Sequence, residues 1–213
     1  MILRCTKKLL AVLGAGHAAE PGPTPAAEDW YASLLWSGRR KCLLLTHATT
    51  LFSIFEADVH AGDLRVIHRM VTELGERELR RESLPATFGN LRSQELILAK
   101  AADRSVLGCM NDMAFLCEVA ISDAGGLAHF ELGELNHALH RNINSSRGYR
   151  PPVELAAQQL EREQSSRTRN RPGAGATANS ALGPQPGQHH VPSLNGCAGR
   201  VRVLRCHRVR QRS

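Results

Sequence analysis

Aromatic residues make up only 4% of this 213-residue chain, and residues 164–213 contain none. Without aromatic faces that segment has nothing on which to stack unpaired bases, which argues against recognition of single-stranded nucleic acid. The same segment lacks lysine, aspartate and glutamate. No stretch approaches the roughly 18 successive apolar residues of a membrane span, so no membrane association is expected. A third glycine is missing after Gly14-Ala15-Gly16, which also follows a helical pattern rather than a strand, so a dinucleotide-binding loop is excluded. The six cysteines (Cys5, Cys42, Cys109, Cys117, Cys197, Cys206) lack the regular spacing of a disulfide framework, and four stand in apolar runs. They read as small buried hydrophobes in a reducing compartment, the cytoplasm.

What is present divides unevenly. The net charge is +7, yet residues 1–163 carry 18 Lys+Arg against 20 Asp+Glu, and residues 164–213 carry nine arginines and no acid. The folded part therefore has no cationic field to draw in a polyanion. The remainder, rich in Gly, Pro, Ser and Ala, cannot bury enough surface to offset the entropy of ordering. The sequence thus predicts a single domain over 1–163 and a disordered Arg-rich tail over 164–213. Nine arginines would give only weak, non-specific, salt-dependent contact with nucleic acid, which deletion of the tail would abolish. An arginine-only charge pattern also fits translation of GC-rich DNA in a shifted frame; genomic DNA in which no other frame continues the domain would rule that out.

Alternation in Ile2-Leu3-Arg4-Cys5 predicts a short strand, with Thr6 placed to cap the helix that follows. Arg4, Lys7 and Lys8 before an apolar run and small residues mimic a signal peptide. The apolar core sits at the short end of the usual range of about 7–15 residues, so the segment is assigned to the domain. Strands are expected over 30–36, 41–46 and 50–56, joined by short polar turns that favour an antiparallel meander. Cys42-Leu43-Leu44-Leu45 is apolar on successive residues, as in a strand buried on both faces at the centre of a sheet. Leu64, Ile67, Val71 and Leu74 recur at helical spacing after a candidate cap, Asp63. Residues 95–101 suit either a strand or a helix. Over 105–122 two adjoining apolar stripes predict the core helix of the domain. Leu132, Leu135 and Leu139 mark another helix, and Pro151-Pro152 starts a last one. The fold class is α+β: a small antiparallel sheet, the meander over about 30–56 plus an N-terminal strand, packed against several helices.

Taken together, Met1 to Leu10, Trp30-Tyr31-Ala32-Ser33-Leu34-Leu35, Arg40-Lys41-Cys42 and Thr50-Leu51-Phe52-Ser53 form an ordered set. Arg104 to Gly108 with Met110-Asn111-Asp112, then Leu135-Asn136 and Gly148-Tyr149-Arg150 before Pro152, continue it. This set resembles an uncharacterised bacterial domain family over about residues 1–160. The resemblance implies one cytosolic α+β domain starting at Met1, with no activity or cofactor to carry over. It leaves out the tail.

Chemistry is sparse. Arg104 and Ser105 precede the core helix, where free backbone N–H groups hold anions, although Ser105 equally suits a helix cap. Arg40 and Lys41 cluster at a hairpin turn and would complete an anion pocket only if the fold joined them to Arg104. Asn111 and Asp112 lie on the polar side of the core helix as a candidate polar site, bonding loop backbone or, for Asp112, acting as a general base. Glu134, His137 and His140 have helical metal spacing, but only one Glu-x-x-His copy is present and a di-iron bundle needs two. No metal site and no cofactor are expected. The leading expectation is an interaction or ligand-binding module without catalysis, whose partner is a protein or a small anionic ligand. The alternatives are an enzyme acting on an anionic small molecule and nucleic-acid binding through the tail.

Overall fold

A computed structural model describes residues 1–14, 24–85, 88, 91 and 95–169. Five strands form one sheet: β1 (Ile2–Cys5), β2 (Trp30–Ser37), β3 (Arg40–His47), β4 (Ser53–Glu56) and β5 (Ile97–Lys100). Their order is β4-β3-β2-β1-β5. The meander is antiparallel as expected, Ser37 facing Arg40 across the tight turn and Leu44 facing Phe55. The N-terminal strand instead joins in parallel, with Cys5 opposite Ala32 on one side and Lys100 on the other. The sheet is therefore mixed, because α1 (Lys7–Leu13) carries the chain back across a face before β2 begins. It also places β2, not β3, at the centre.

β3 is nonetheless covered on both faces, which accounts for its unbroken apolar run. Leu43 and Leu45 join Leu3, Cys5, Trp30, Leu34, Phe52 and Ile54 in one core. Cys42 and Leu44 join Tyr31 and Phe55 in the other. Over the first core lie α1, α2 (Ala61–Arg65), α3 (Ile67–Arg81) and α6 (Pro152–Arg169). Over the second lie α4 (Arg104–Asp123) and α5 (Leu132–Arg141). The result is a three-layer α+β domain.

Local chemistry moved several boundaries. His60, not Asp63, is the cap of α2, and the Asp63 carboxylate accepts the His60 N–H at 2.8 Å. The helix then breaks at Val66 before α3, although Leu64, Ile67, Val71 and Leu74 all reach the core as spaced. Residues 95–101 resolve into a strand, β5. α4 is long and apolar enough by composition to cross a membrane, more than the sequence reading allowed. Val106, Cys109, Met110, Met113, Cys117 and Ile121 use that hydropathy to cover the sheet. α6 runs to Arg169, six residues past the expected end of the domain; the expectation of a disordered tail otherwise lies on residues outside those described.

Polar anchors fix the layers to one another. Asn136 of α5 accepts the Phe55 N–H at 2.7 Å and donates to the Phe55 carbonyl at 3.0 Å, closing the outer edge of β4 as a neighbouring strand would. Glu78, 1% exposed, accepts from Arg77 and Arg81, and Arg77 also reaches Glu56 of β4. Glu82 accepts from His140 and from both terminal nitrogens of Arg141. Burial works against the Glu82 charge, but these hydrogen bonds overcome it and hold its carboxyl at about 2.

Candidate functional site

One end of the sheet gathers three connections: the loop before β2, the β3–β4 turn and the start of α4. Thr49 Oγ1 donates to the Ala27 carbonyl at 2.7 Å, and the Ala48 N–H to the Asp29 carbonyl at 2.9 Å, stitching loop to turn. The turn itself closes with the His47 N–H on the Phe52 carbonyl and Leu51 at a φ of 57°. A buried leucine in the left-handed region is costly, by about 1–2 kcal/mol, and marks a backbone held by its surroundings.

Between these segments lies an open cleft of about 420 Å³, lined by Pro25, Ala26, Ala27, Tyr31, Ala48, Thr49, Asp103 and Arg147. Arg147 comes from the 3₁₀ turn Ser145–Arg147, which Asn144 caps and Gly148 ends in the left-handed region at φ 65°. Its Nε donates to the Thr49 carbonyl at 2.6 Å and Nη2 to the Ala48 carbonyl at 2.8 Å. Asp103 is the cap of α4, its Oδ1 accepting the N–H groups of Ser105 and Val106 at 2.8 and 3.2 Å. Tyr31, 1% exposed, forms the floor, with its hydroxyl against the Asp103 backbone; burial pushes that hydroxyl up while Arg4 draws it down. Behind Tyr31 the buried Arg4 and Asp29 pair with one another, and Asp29 also accepts the Ala26 N–H at 2.9 Å. That pair fixes the loop wall of the cleft to β1.

The residues singled out from sequence are dispersed. Arg104 and Ser105 sit exposed in the first turn of α4, next to the cleft but outside its lining. Asp103 takes the capping role that Ser105 was read to fill. Arg40 is exposed at the start of β3 and pairs with Asp58 at 3.1 Å, and the Lys41 ammonium lies 5.7 Å from the Trp36 ring. Cys42, two residues along β3 from Arg40, shares the second core with Cys117 of α4. Arg104 begins the helix thirteen residues earlier, about 20 Å away along its axis. Asn111 and Asp112 are exposed on α4 and bond no loop backbone among the described residues. The polar side of α4 faces solvent there because Cys109, Met110 and Met113 turn to the sheet.

His137 and His140 both turn to Glu82, at 3.3 and 3.0 Å, instead of forming a site with Glu134. Among the described residues no group of three or more His, Cys, Asp or Glu is arranged to hold a metal ion. Cys5, Cys42, Cys109 and Cys117 are free and buried. Burial pushes the thiols of Cys5 and Cys117 up to about 12, so neither is a ready nucleophile. Cys197 and Cys206 lie outside the described residues.

Sequence reading missed Asp103 and Arg147. Asp103 had a visible signal, an acid two and three residues before the first N–H groups of a strong helix. Arg147 had only its place before Gly148-Tyr149-Arg150. No curated protein and no solved structure matches the chain. A family model does match, over residues 2–155, and the chain belongs to that family, described as Domain of unknown function (DUF6933).

Proposed function

We propose that this domain is a non-catalytic ligand-binding module of the cytoplasm, with its ligand seated in the cleft between Asp103 and Arg147. The carrying observation is the state of the ionisable groups around that cleft. Arg147 is held by turn carbonyls, Asp103 by its own helix, and Asp29 by Arg4. Groups fixed in this way suit recognition, which needs rigid donors and acceptors. The buried thiols and the deeply buried His47 offer no nucleophile or base at the cleft. Buried reduced cysteines fit a cytoplasmic setting. The enzyme alternative needed Arg40, Arg104 and Asp112 in one pocket, and none of the three lines the cleft.

The test is a metabolite screen on the full chain, read by mass spectrometry for both bound and transformed compounds. Binding without turnover is expected, and Ala27→Trp, which fills the cleft from an exposed position, should abolish it. Turnover that Ala27→Trp abolishes would refute the non-catalytic reading, and binding that Ala27→Trp leaves intact would refute the location.

A further inference from the structure

The cleft holds one guanidinium and one carboxylate that do not pair with each other. Arginine has five N–H donors. In Arg147, Nε serves the Thr49 carbonyl, Nη2 the Ala48 carbonyl and Nη1 the Ser146 carbonyl at 3.1 Å. One N–H remains on each terminal nitrogen, able to donate to a carboxylate. Three carbonyls fix the plane of the guanidinium without neutralising it. No acidic side chain among the described residues forms an ion pair with it.

Across the cleft Asp103 is in a matching state. Both of its capping bonds end on Oδ1, so Oδ2 is left to accept from an ammonium or amide donor. The lining charges sum to zero, which disfavours a dianion such as phosphate, because it would face the Asp103 carboxylate, and a simple amine, because it would face Arg147. The rest of the lining includes small and apolar residues, Pro25, Ala26, Ala27 and Ala48. We propose that the cleft takes a small zwitterion, a free amino acid or short peptide, with its carboxylate on Arg147, its ammonium on Asp103 and its side chain against these small apolar residues. This rests on the reading of the cleft as a binding site and specifies its ligand class.

The experiment is an NMR titration of the isotopically labelled full chain. The probes are a panel of free amino acids, the dipeptide Ala-Leu, the same dipeptide N-acetylated or C-amidated, and inorganic phosphate. Shifts at the amides of Thr49, Asp103 and Arg147 are expected with a zwitterion. Blocking either end should weaken binding by about tenfold or more, the value of one charge-assisted hydrogen bond. Asp103→Asn keeps the helix cap and should erase the penalty for N-acetylation alone. Arg147→Gln removes the charge but keeps a side-chain donor and should erase the penalty for C-amidation alone. Equal binding of free and blocked dipeptide, or tighter binding of phosphate, would overturn the zwitterion while leaving the binding cleft in place. If neither these probes nor any compound from the metabolite screen moves the cleft amides, the binding reading fails with it. The comparison of free and blocked dipeptide decides the question on the unmodified chain, even where a variant folds poorly.

Discussion

Lowering the pH from 7.5 to 5.0 should destabilise this domain through a single side chain more than any other, His47. The ring lies in the first core with 0% exposure, edge-on to Trp30 at 5.2 Å and tilted on Phe88 at 4.6 Å. Its Nδ1 lies 3.1 Å from Thr50 Oγ1 and accepts the Thr50 N–H at 3.4 Å, while Nε2 has no partner among the described residues. Burial therefore depresses its pKa from 6.5 to about 3. A group depressed on folding contributes stability that is whole above its unfolded pKa and is lost as pH falls toward its folded one. At pH 5 the unfolded chain gains a proton at His47 that the native state refuses. The cost is 1.5 pH units at 1.36 kcal/mol each, about 2 kcal/mol. For a domain of this size that lowers the Tm by about 4–8 °C. His140 is depressed in the same direction, chiefly by burial, and adds to the loss. Glu82, at about 2, contributes only below its unfolded value of 4.5 and stays out of this window. Urea unfolding at both pH values in the native sequence and in His47→Asn isolates the effect. Asn retains an oxygen acceptor for the Thr50 N–H, so the variant should lose about 2 kcal/mol less over the same pH step. An equal loss in both proteins would refute the reasoning.

Other outcomes follow from the anchors. Asp29→Ala removes the buried carboxylate that pairs with Arg4 and accepts the Ala26 N–H, and should cost about 3–5 kcal/mol in urea unfolding; a cost under about 1 kcal/mol would show that this carboxylate does not hold the loop to β1. Asn136→Leu strips both bonds from the Phe55 backbone and should cost about 2–4 kcal/mol and raise light scattering on concentration. Glu82→Gln removes the charge shared by His140 and Arg141, and unfolding below pH 4 should become less steep than in the native sequence.

Elements whose pattern is local were legible from the sequence. The meander was marked by its turns, α4 by its stripes, and the double-sided burial of β3 by four successive apolar residues. What was not legible depends on chain segments far apart. Nothing in Ile2-Leu3-Arg4-Cys5 says that it inserts in parallel between β2 and β5, because a four-residue strand has no preference that outweighs the topology around it. Arg4 read as one of the charges of a leader-like start, yet it is 2% exposed, and only the fold supplies Asp29. The cleft was hidden for the same reason. Its lining comes from four separate segments, and its two charged residues have structural roles that gave neither a motif. Conversely, residue type alone could not say where Arg40, Arg104 and Asp112 stand: Arg40 is on β3, paired with Asp58, while Arg104 and Asp112 lie eight residues apart on α4.

The closing of β4 by Asn136 has a consequence for synthesis. Phe55 leaves the ribosome 81 residues ahead of the amide that covers it. At about 5–20 residues per second the strand waits roughly 4–16 s with its outer N–H and carbonyl unpaired. A nascent chain stalled in that interval presents an open, apolar strand edge to its neighbours on the same message. Slower translation between Phe55 and Asn136 is therefore expected to lower the soluble yield of this protein and to leave the stability of the finished fold unchanged.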